Sequence, residues 1–277
     1  MGEEFVTVIW CALIFTIATS ATYLVNDIID MPKDRVHPIK KFRPIASGKL
    51  PIPIALFTAI VAIFLALYLG YMHSFFFFIT ILGYLALQIF YSFYLKNLVI
   101  LDILIIAAGF IIRVYAGAFA INVHMNVWFL LCVVSLALFL AAGKRRAELA
   151  VLTEQPANLR RKTLFFYTPD TLDSYLAMFS NAAWMSYALF TFFAPPPLIA
   201  TNPMWTTLPL ALAGINKWLM ITVPVVVYGI MRYTMIIYQG SRAEAPERVL
   251  LSDKPLLISA MIWGLLVVFI LYGINPV

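Results

Sequence analysis

An all-α bundle of about eight membrane-crossing helices is the fold this sequence predicts, on three observations. Hydrophobic residues make up 63% of the 277-residue chain and charged residues 12%, with a mean hydropathy of +0.94, whereas soluble domains carry about 25% charged residues. Apolar runs near the ~20 residues that cross a bilayer core recur along the whole length. Basic residues gather in alternate connections, sixteen on one side against Lys217 alone on the other, which is the asymmetry that sets topology. The same composition excludes a soluble α/β nucleotide-type domain.

The spans fall at about 5–29, 53–72, 75–95, 99–121, 126–143, 172–193, 216–239 and 255–273, and their length and sparse charge favour helices over barrel strands. The first run has no basic leader and no small-residue cleavage site, so no removable signal is predicted. It ends in an acidic cluster, and the connection after it holds Lys33, Arg35, Lys40, Lys41, Arg43 and Lys49. Lys96 follows the third span. Lys144, Arg145, Arg146, Arg160, Arg161 and Lys162 follow the fifth, and Arg242, Arg248 and Lys254 follow the seventh. Pro195-Pro196-Pro197 and Asn202-Pro203 mark a loop. Leu208 to Ile215 is too short to span and reads as an interfacial turn. The whole chain, 1–277, is expected to be one integral membrane domain. Its basic connections near 30–52, 144–171 and 240–254 are expected to face the cytoplasm and carry the active site, and both termini to face away.

Chemistry concentrates at the end of the first span. Asn26, Asp27, Asp30 and Asp34 supply hard oxygen ligands beside a dense set of cations. Mg²⁺ is commonly held by one or two carboxylates together with substrate phosphates, so a diphosphate with Mg²⁺ satisfies both halves of the pattern. Positions four apart lie one above another on a helix, which puts Asn26 and Asp30 on one face with Asp27 adjacent. Pro32 is expected to end the regular helix, leaving Asp34 to reach in from the loop. Simple capping and solvation would also account for these acids, but carboxylates at a helix C-terminus oppose the macrodipole and call for a compensating cation.

Two charges lie within the fourth span. Asp102 and Arg113 fall on nearly the same face but about 16 Å apart along the axis, too far to pair, so each needs its own partner. Lys96 is the expected neighbour of Asp102; Arg113 reads equally well as a structural hydrogen-bond centre. Arg232, near the cytoplasmic end of the seventh span, is in reach of a phosphate. Cys11 and Cys132 lie in apolar runs and form no ligand pattern, and His37, His73 and His124 are scattered. GxxxxGK[ST], HExxH, CxxC and GxSxG elements are absent.

Asn26-Asp27-x-x-Asp30-x-x-x-Asp34, with Tyr91-Ser92-x-x-Leu95-Lys96 and Asp102, resembles the UbiA-type superfamily of intramembrane prenyltransferases, which use Mg²⁺ to bind a prenyl diphosphate within a helical bundle. The family's second acidic motif is replaced here by Gly143-Lys144-Arg145-Arg146-Ala147-Glu148. The longer pattern NDxxDxxxDxxHPxKxxRPIASG, with GKRRAEL, Arg232-Tyr233 and Pro246-Glu247, is similar to one branch, the polyprenyl-phosphate phosphoribosyltransferases, over most of residues 15–255. That resemblance implies phosphoribosyl diphosphate as donor and a polyprenyl phosphate of the membrane as acceptor, with a product used for arabinan-type precursors of the cell envelope. Asp27, Asp30 and Asp34 would be catalytic and, with Asn26, hold Mg²⁺. Asn26, Lys41, Arg43, Lys96, Asp102, Lys144, Arg145, Glu148 and Arg232 would bind substrate. The extra phosphate of such a donor explains why cations stand where acids are usual.

The resemblance further implies a multi-pass protein of the plasma membrane that uses no nucleic acid and is compatible with an oligomer. Family members carry another helix before the NDxxD helix, opening with an RPxQWxKN-like segment. This sequence enters the motif helix directly from Met1-Gly2-Glu3-Glu4-Phe5, so either the protein is naturally short or the sequence begins downstream of the true start. Loss of that helix would open one side of the bundle and remove basic site residues. Two other functions fit the same charges. A conventional prenyltransferase would move a prenyl group to an aromatic or glycerol-phosphate acceptor, and a non-enzymatic protein would bind or transport lipid phosphates.

Overall fold

The structure, a computed structural model, describes residues 2–36, 40–152, 162–194, 217–238 and 246–273. His37, Arg160, Arg161, Arg242, the 195–197 prolines, Asn202-Pro203 and the 208–215 turn lie outside the described residues. The described residues are helical without a strand: α1 Gly2–Asp34, α2 Ile52–His73, α3 Phe75–Phe93, α4 Leu101–Ala120, α5 Val127–Leu152, α6 Pro169–Phe193, α7 Val223–Tyr238, α8 Pro246–Ser252 and α9 Lys254–Val268. Eight stretches among them are long and apolar enough to cross a membrane, and they match the eight expected spans. The protein is a multi-pass membrane protein.

Sequence explains most of the helix ends. Ser74 accepts from the Phe77 amide at 3.2 Å to open α3, Thr168 from Thr171 at 3.1 Å to open α6, and Asp253 from Leu256 at 2.9 Å to open α9. Each satisfies an amide that the helix itself cannot. Pro169 and Pro255 follow their caps, where the missing N–H is harmless.

Two helices run further than their sequences suggested. α1 continues through Pro32 to Asp34, and Arg35 N still donates to Met31 O at 3.1 Å. Proline forfeits only its own bond four residues back, and the following turn closes normally. At 1.5 Å per residue the 33 residues of α1 measure about 50 Å, well beyond a ~30 Å hydrocarbon core, so its acidic end projects past the apolar layer. Asp34 is therefore on the helix and not in a loop. α5 likewise carries Lys144–Glu148 as helix, where the reading of charge as loop had placed a connection after residue 143. Polarity there marks exit from the membrane, and the backbone stays helical.

Contacts divide the chain into two compact units. The first comprises Met1–Met125 with Gln155–Tyr167. In it α1 packs on α2, α3 and α4 around Ile14, Phe15, Ala18, Phe77, Ile81 and Tyr84. Ala55, Ala59, Ala66 and Gly70 form the buried side of α2. In lipid, small residues are what let helices approach closely. At Gly70 an added Cβ would stand 2.6 Å from Ile81 Cδ1. The second unit comprises Asn126–Glu154 with Thr168–Val277. There α5, α6, α7 and α9 surround Phe139, Leu176, Ile230, Tyr233 and Ile237. Its small residue is Gly143, where a Cβ would meet Ile237 Cδ1 at 2.7 Å and Tyr233 at 3.3 Å. A hydrogen-bonded chain from Trp263 Nε1 to the buried Tyr187 Oη (2.7 Å), and from there to Thr222 Oγ1 (2.6 Å), ties α9, α6 and the Trp218–Thr222 turn together.

Gly70→Leu is expected to lower the thermal midpoint in detergent, because overpacking costs about 1–3 kcal/mol. An unchanged midpoint would mean that α2 and α3 do not meet there.

Candidate active site

Asp27, Asp30 and Asp34 are spaced i, i+3 and i+7 on the continuous end of α1, so all three line one helix face. Two cations from elsewhere in the first unit meet them. Arg43 Nη1 donates to Asp27 Oδ1 and to Asp34 Oδ2, each at 2.8 Å. Lys96 Nζ donates to Asp30 Oδ1 at 2.6 Å. Lys96 and Asp34 are nearly enclosed, with side chains 6% and 7% exposed, whereas Arg43 is 38% exposed.

Local structure puts each cation there. The RPIASG segment is a compact turn. Ser47 N donates to Arg43 O (2.9 Å), Gly48 N to Ile45 O (3.2 Å) and Leu50 N to Pro44 O (2.9 Å). Gly48 has φ of 80°, which a glycine adopts freely and other residues rarely do. Ile45 and Ala46 are buried and anchor the turn, leaving the Arg43 side chain to reach back to α1. Lys96 sits in the single tight turn Leu95–Asn97 that joins α3 to α4. Ser92, one turn earlier, donates to Asn26 Oδ1 at 3.3 Å and orients that amide beside the acids. Lys41 lies over the ring of Phe42, 5.2 Å from its centroid, on the exposed side of its turn.

Asp102 departs from expectation. Its partners are Tyr167 Oη at 2.8 Å and Thr163 Oγ1 at 3.4 Å, while the expected neighbour Lys96 is engaged by Asp30. Both hydroxyls come from more than sixty residues away, and nothing local in the sequence pointed to them. Arg113 does find its own partner: Nη2 donates to Tyr84 Oη at 3.0 Å, and the guanidinium stacks 5.4 Å from the Phe110 centroid.

In the second unit, Arg145 is fully buried and donates to Glu148 one turn on. Arg146 donates to Asp173 Oδ1 at 2.6 Å and lies 5.4 Å from the Tyr238 ring. Lys144 is half-buried on the same helix. Arg232 grips Asp253 through Nε (3.0 Å) and Nη2 (2.7 Å), a bidentate pair with the acid that also caps α9. Asp173 and Asp253 were not singled out in the sequence, since an acid one helix away from its arginine leaves no local pattern.

Among the described residues no three His, Cys, Asp or Glu side chains converge to hold an ion unaided. The oxygen donors on α1 fit Mg²⁺ in its usual manner, in which one or two carboxylates share the ion with substrate phosphates.

Membrane-crossing helices with an acidic helix face and matching cations define an integral membrane protein with a charged site at a helix end. The chain belongs to the UbiA prenyltransferase family, which matches residues 2–252. It is 35% identical to the decaprenyl-phosphate phosphoribosyltransferase of Corynebacterium glutamicum, covering 94% of this chain and 74% of that one. It is 34% identical to the enzyme of the same name from Mycolicibacterium smegmatis, covering 91% and 76%. Its fold matches a UbiA homologue from Archaeoglobus fulgidus, described as bound to GPP and Mg²⁺, with a TM-score of 0.68 and 17% identity over 98% of this chain and 88% of that one.

The Arg232 guanidinium holds the Asp253 carboxyl below its ordinary range, chiefly by direct hydrogen bonding. A depressed carboxylate stabilises the fold above its unfolded pKa of about 3.9 and loses that contribution as pH falls through the folded value. The melting-temperature advantage of wild type over Arg232→Met should therefore hold from pH 7 to about 5 and close below about 4. A pH-independent margin would contradict the pairing.

Proposed function

We propose that this protein transfers 5-phosphoribosyl from phosphoribosyl diphosphate to a polyprenyl phosphate, with its active site at the cytoplasmic membrane face. The observation that carries this reading is the stripe Asp27, Asp30 and Asp34 with Arg43 and Lys96 in direct contact, in a chain 35% identical over 94% of its length to a decaprenyl-phosphate phosphoribosyltransferase.

Asp27, Asp30 and Asp34, with Asn26 oriented by Ser92, would hold Mg²⁺ on the donor diphosphate; bound there, the ion offsets the charge that builds on the leaving group. Arg43 and Lys96 then turn from carboxylate to diphosphate oxygens, which their donors fit equally well. Lys41, exposed on the same segment, adds charge at the mouth. Lys144 and Arg145 are assigned, by charge and sequence alone, to the 5-phosphate or the lipid phosphate. Glu148 holds Arg145, Asp102 is bonded to Tyr167, and Arg232, held by Asp253, is assigned to a substrate phosphate by charge and sequence alone.

A lipid phosphate oxygen forms its bond to C1 of the ribose as the C1–O bond to diphosphate breaks, and pyrophosphate departs with the electron pair. The nucleophile is already ionised at neutral pH, so no general base is needed.

The test uses purified protein in nanodiscs with Mg²⁺, polyprenyl phosphate and ribose-labelled phosphoribosyl diphosphate. Label should enter the organic phase, vanish with EDTA, and fall below detection in Asp30→Asn. Lys96→Met should lower kcat/KM for the donor about a hundredfold, as expected for loss of one preorganised charge at a developing anion. Consumption of a prenyl diphosphate instead would return the chain to conventional prenyl transfer, and near-normal Asp30→Asn activity would remove the metal assignment.

A further inference from the structure

One segment of the first unit, Gln155–Tyr167, comes from beyond Met125, and its described end is fastened to α4 by buried hydrogen bonds. Tyr167 Oη accepts from the Ile100 amide at 2.7 Å and donates to Asp102 Oδ1 at 2.8 Å. Thr163 Oγ1 donates to the other carboxylate oxygen at 3.4 Å. Asp102 and Thr163 are 0% exposed and Tyr167 5%.

What Tyr167 holds is a strained peptide. Ile100 has φ of 69°, a left-handed conformation that β-branched residues avoid unless their surroundings impose it. It precedes α4, where the ladder offers its amide no partner. Three residues earlier ends the Leu95–Asn97 turn that presents Lys96, and the Lys162–Phe165 turn packs directly on it. The connection carrying Lys96 is thus pinned from one side by α1 through Asp30, and from the other by the Tyr167 segment.

We propose that Tyr167, acting with Asp102, is a positioning residue of the transfer reaction. It fixes the Leu95–Ile100 connection so that the Lys96 ammonium stands at Asp30 and at the donor's diphosphate. The assignment rests on Lys96 being a diphosphate ligand, as read above. Asp102 accepts from the Tyr167 and Thr163 hydroxyls and acts through Tyr167. Precision is what the arrangement supplies, since a misplacement of ~1 Å at a reacting group is worth about a hundredfold in rate.

Tyr167→Phe keeps the ring and removes the hydroxyl. Its binding of inorganic pyrophosphate with Mg²⁺, read by calorimetry, should weaken about tenfold, the scale of one lost hydrogen bond to a charged group. KM for the donor should rise while KM for the polyprenyl phosphate stays at the wild-type value. Adding Ile100→Gly should recover most of the loss, because glycine holds positive φ without a tether. The proposal is overturned if Tyr167→Phe binds pyrophosphate as wild type does, or if acceptor KM rises in equal measure with donor KM. A wild-type protein that binds pyrophosphate, loses this binding in Tyr167→Phe, and yet transfers no phosphoribosyl would remove the transferase reading and leave the positioning role standing.

Discussion

Negative charge at the carboxyl end of α1 is the constraint around which the first unit is organised. Asp27, Asp30 and Asp34 stand where the helix dipole already points its negative pole, in a chain whose surroundings are largely hydrocarbon. Carboxylates at that pole oppose the dipole, and cations in contact offset the cost. The RPIASG turn, with its positive-φ glycine and buried Ile45, delivers Arg43, and the tight turn after α3 delivers Lys96. The two deliveries differ in kind. Breaking a buried pair by removing one partner costs about 3–5 kcal/mol, whereas an exposed pair contributes about 0–1 kcal/mol. Lys96–Asp30, nearly enclosed, belongs towards the first class, and Arg43, 38% exposed, towards the second. Lys96 is therefore the more firmly held cation of the site and Arg43 the more readily exchanged.

The same distinction separates what the sequence made legible from what it did not. Eight spans were readable because hydropathy reports contact with lipid, and the acids were readable because their spacing is local. The ends of α1 and α5 were not. A charged run reports where a helix leaves the membrane, and it says nothing about whether the backbone then unwinds. Pro32 misled for a related reason: a proline in the last turns of a helix removes one bond and leaves later ones, such as Arg35 to Met31, intact. Asp102 was legible as a buried charge needing a partner but not in the choice of partner, because Tyr167 and Thr163 come from a segment more than sixty residues on. Arg232 shows the same limit, its acid lying twenty-one residues away.

On the proposed reading, the distribution of charge in this chain suits a donor that brings more phosphate than a prenyl diphosphate does. Where the family carries a second acidic motif this chain has Lys144, Arg145 and Arg146, with Glu148 and Asp173 taking up two of the three guanidinium and ammonium groups. Arginines already gripped by acids are oriented forks, and an oriented fork loses less freedom on meeting a phosphate than a mobile one.

Charge balance at α1 points the same way. Among the described residues, Asp27, Asp30 and Asp34 have Arg43 and Lys96 in direct contact, and Lys40 adds positive charge felt by Asp27 and Asp34. A free diphosphate arriving alone would face the three carboxylates with only Arg43 readily released. On the proposed reading, the same group bound as its magnesium chelate would offer the carboxylates a dication and leave Arg43 and Lys96 for the phosphate oxygens. The cluster would then suit the chelate as a unit. Its two cations serve the acids when the site is bare and the substrate when it is filled, so that α1 never bears its three carboxylates without cations in contact.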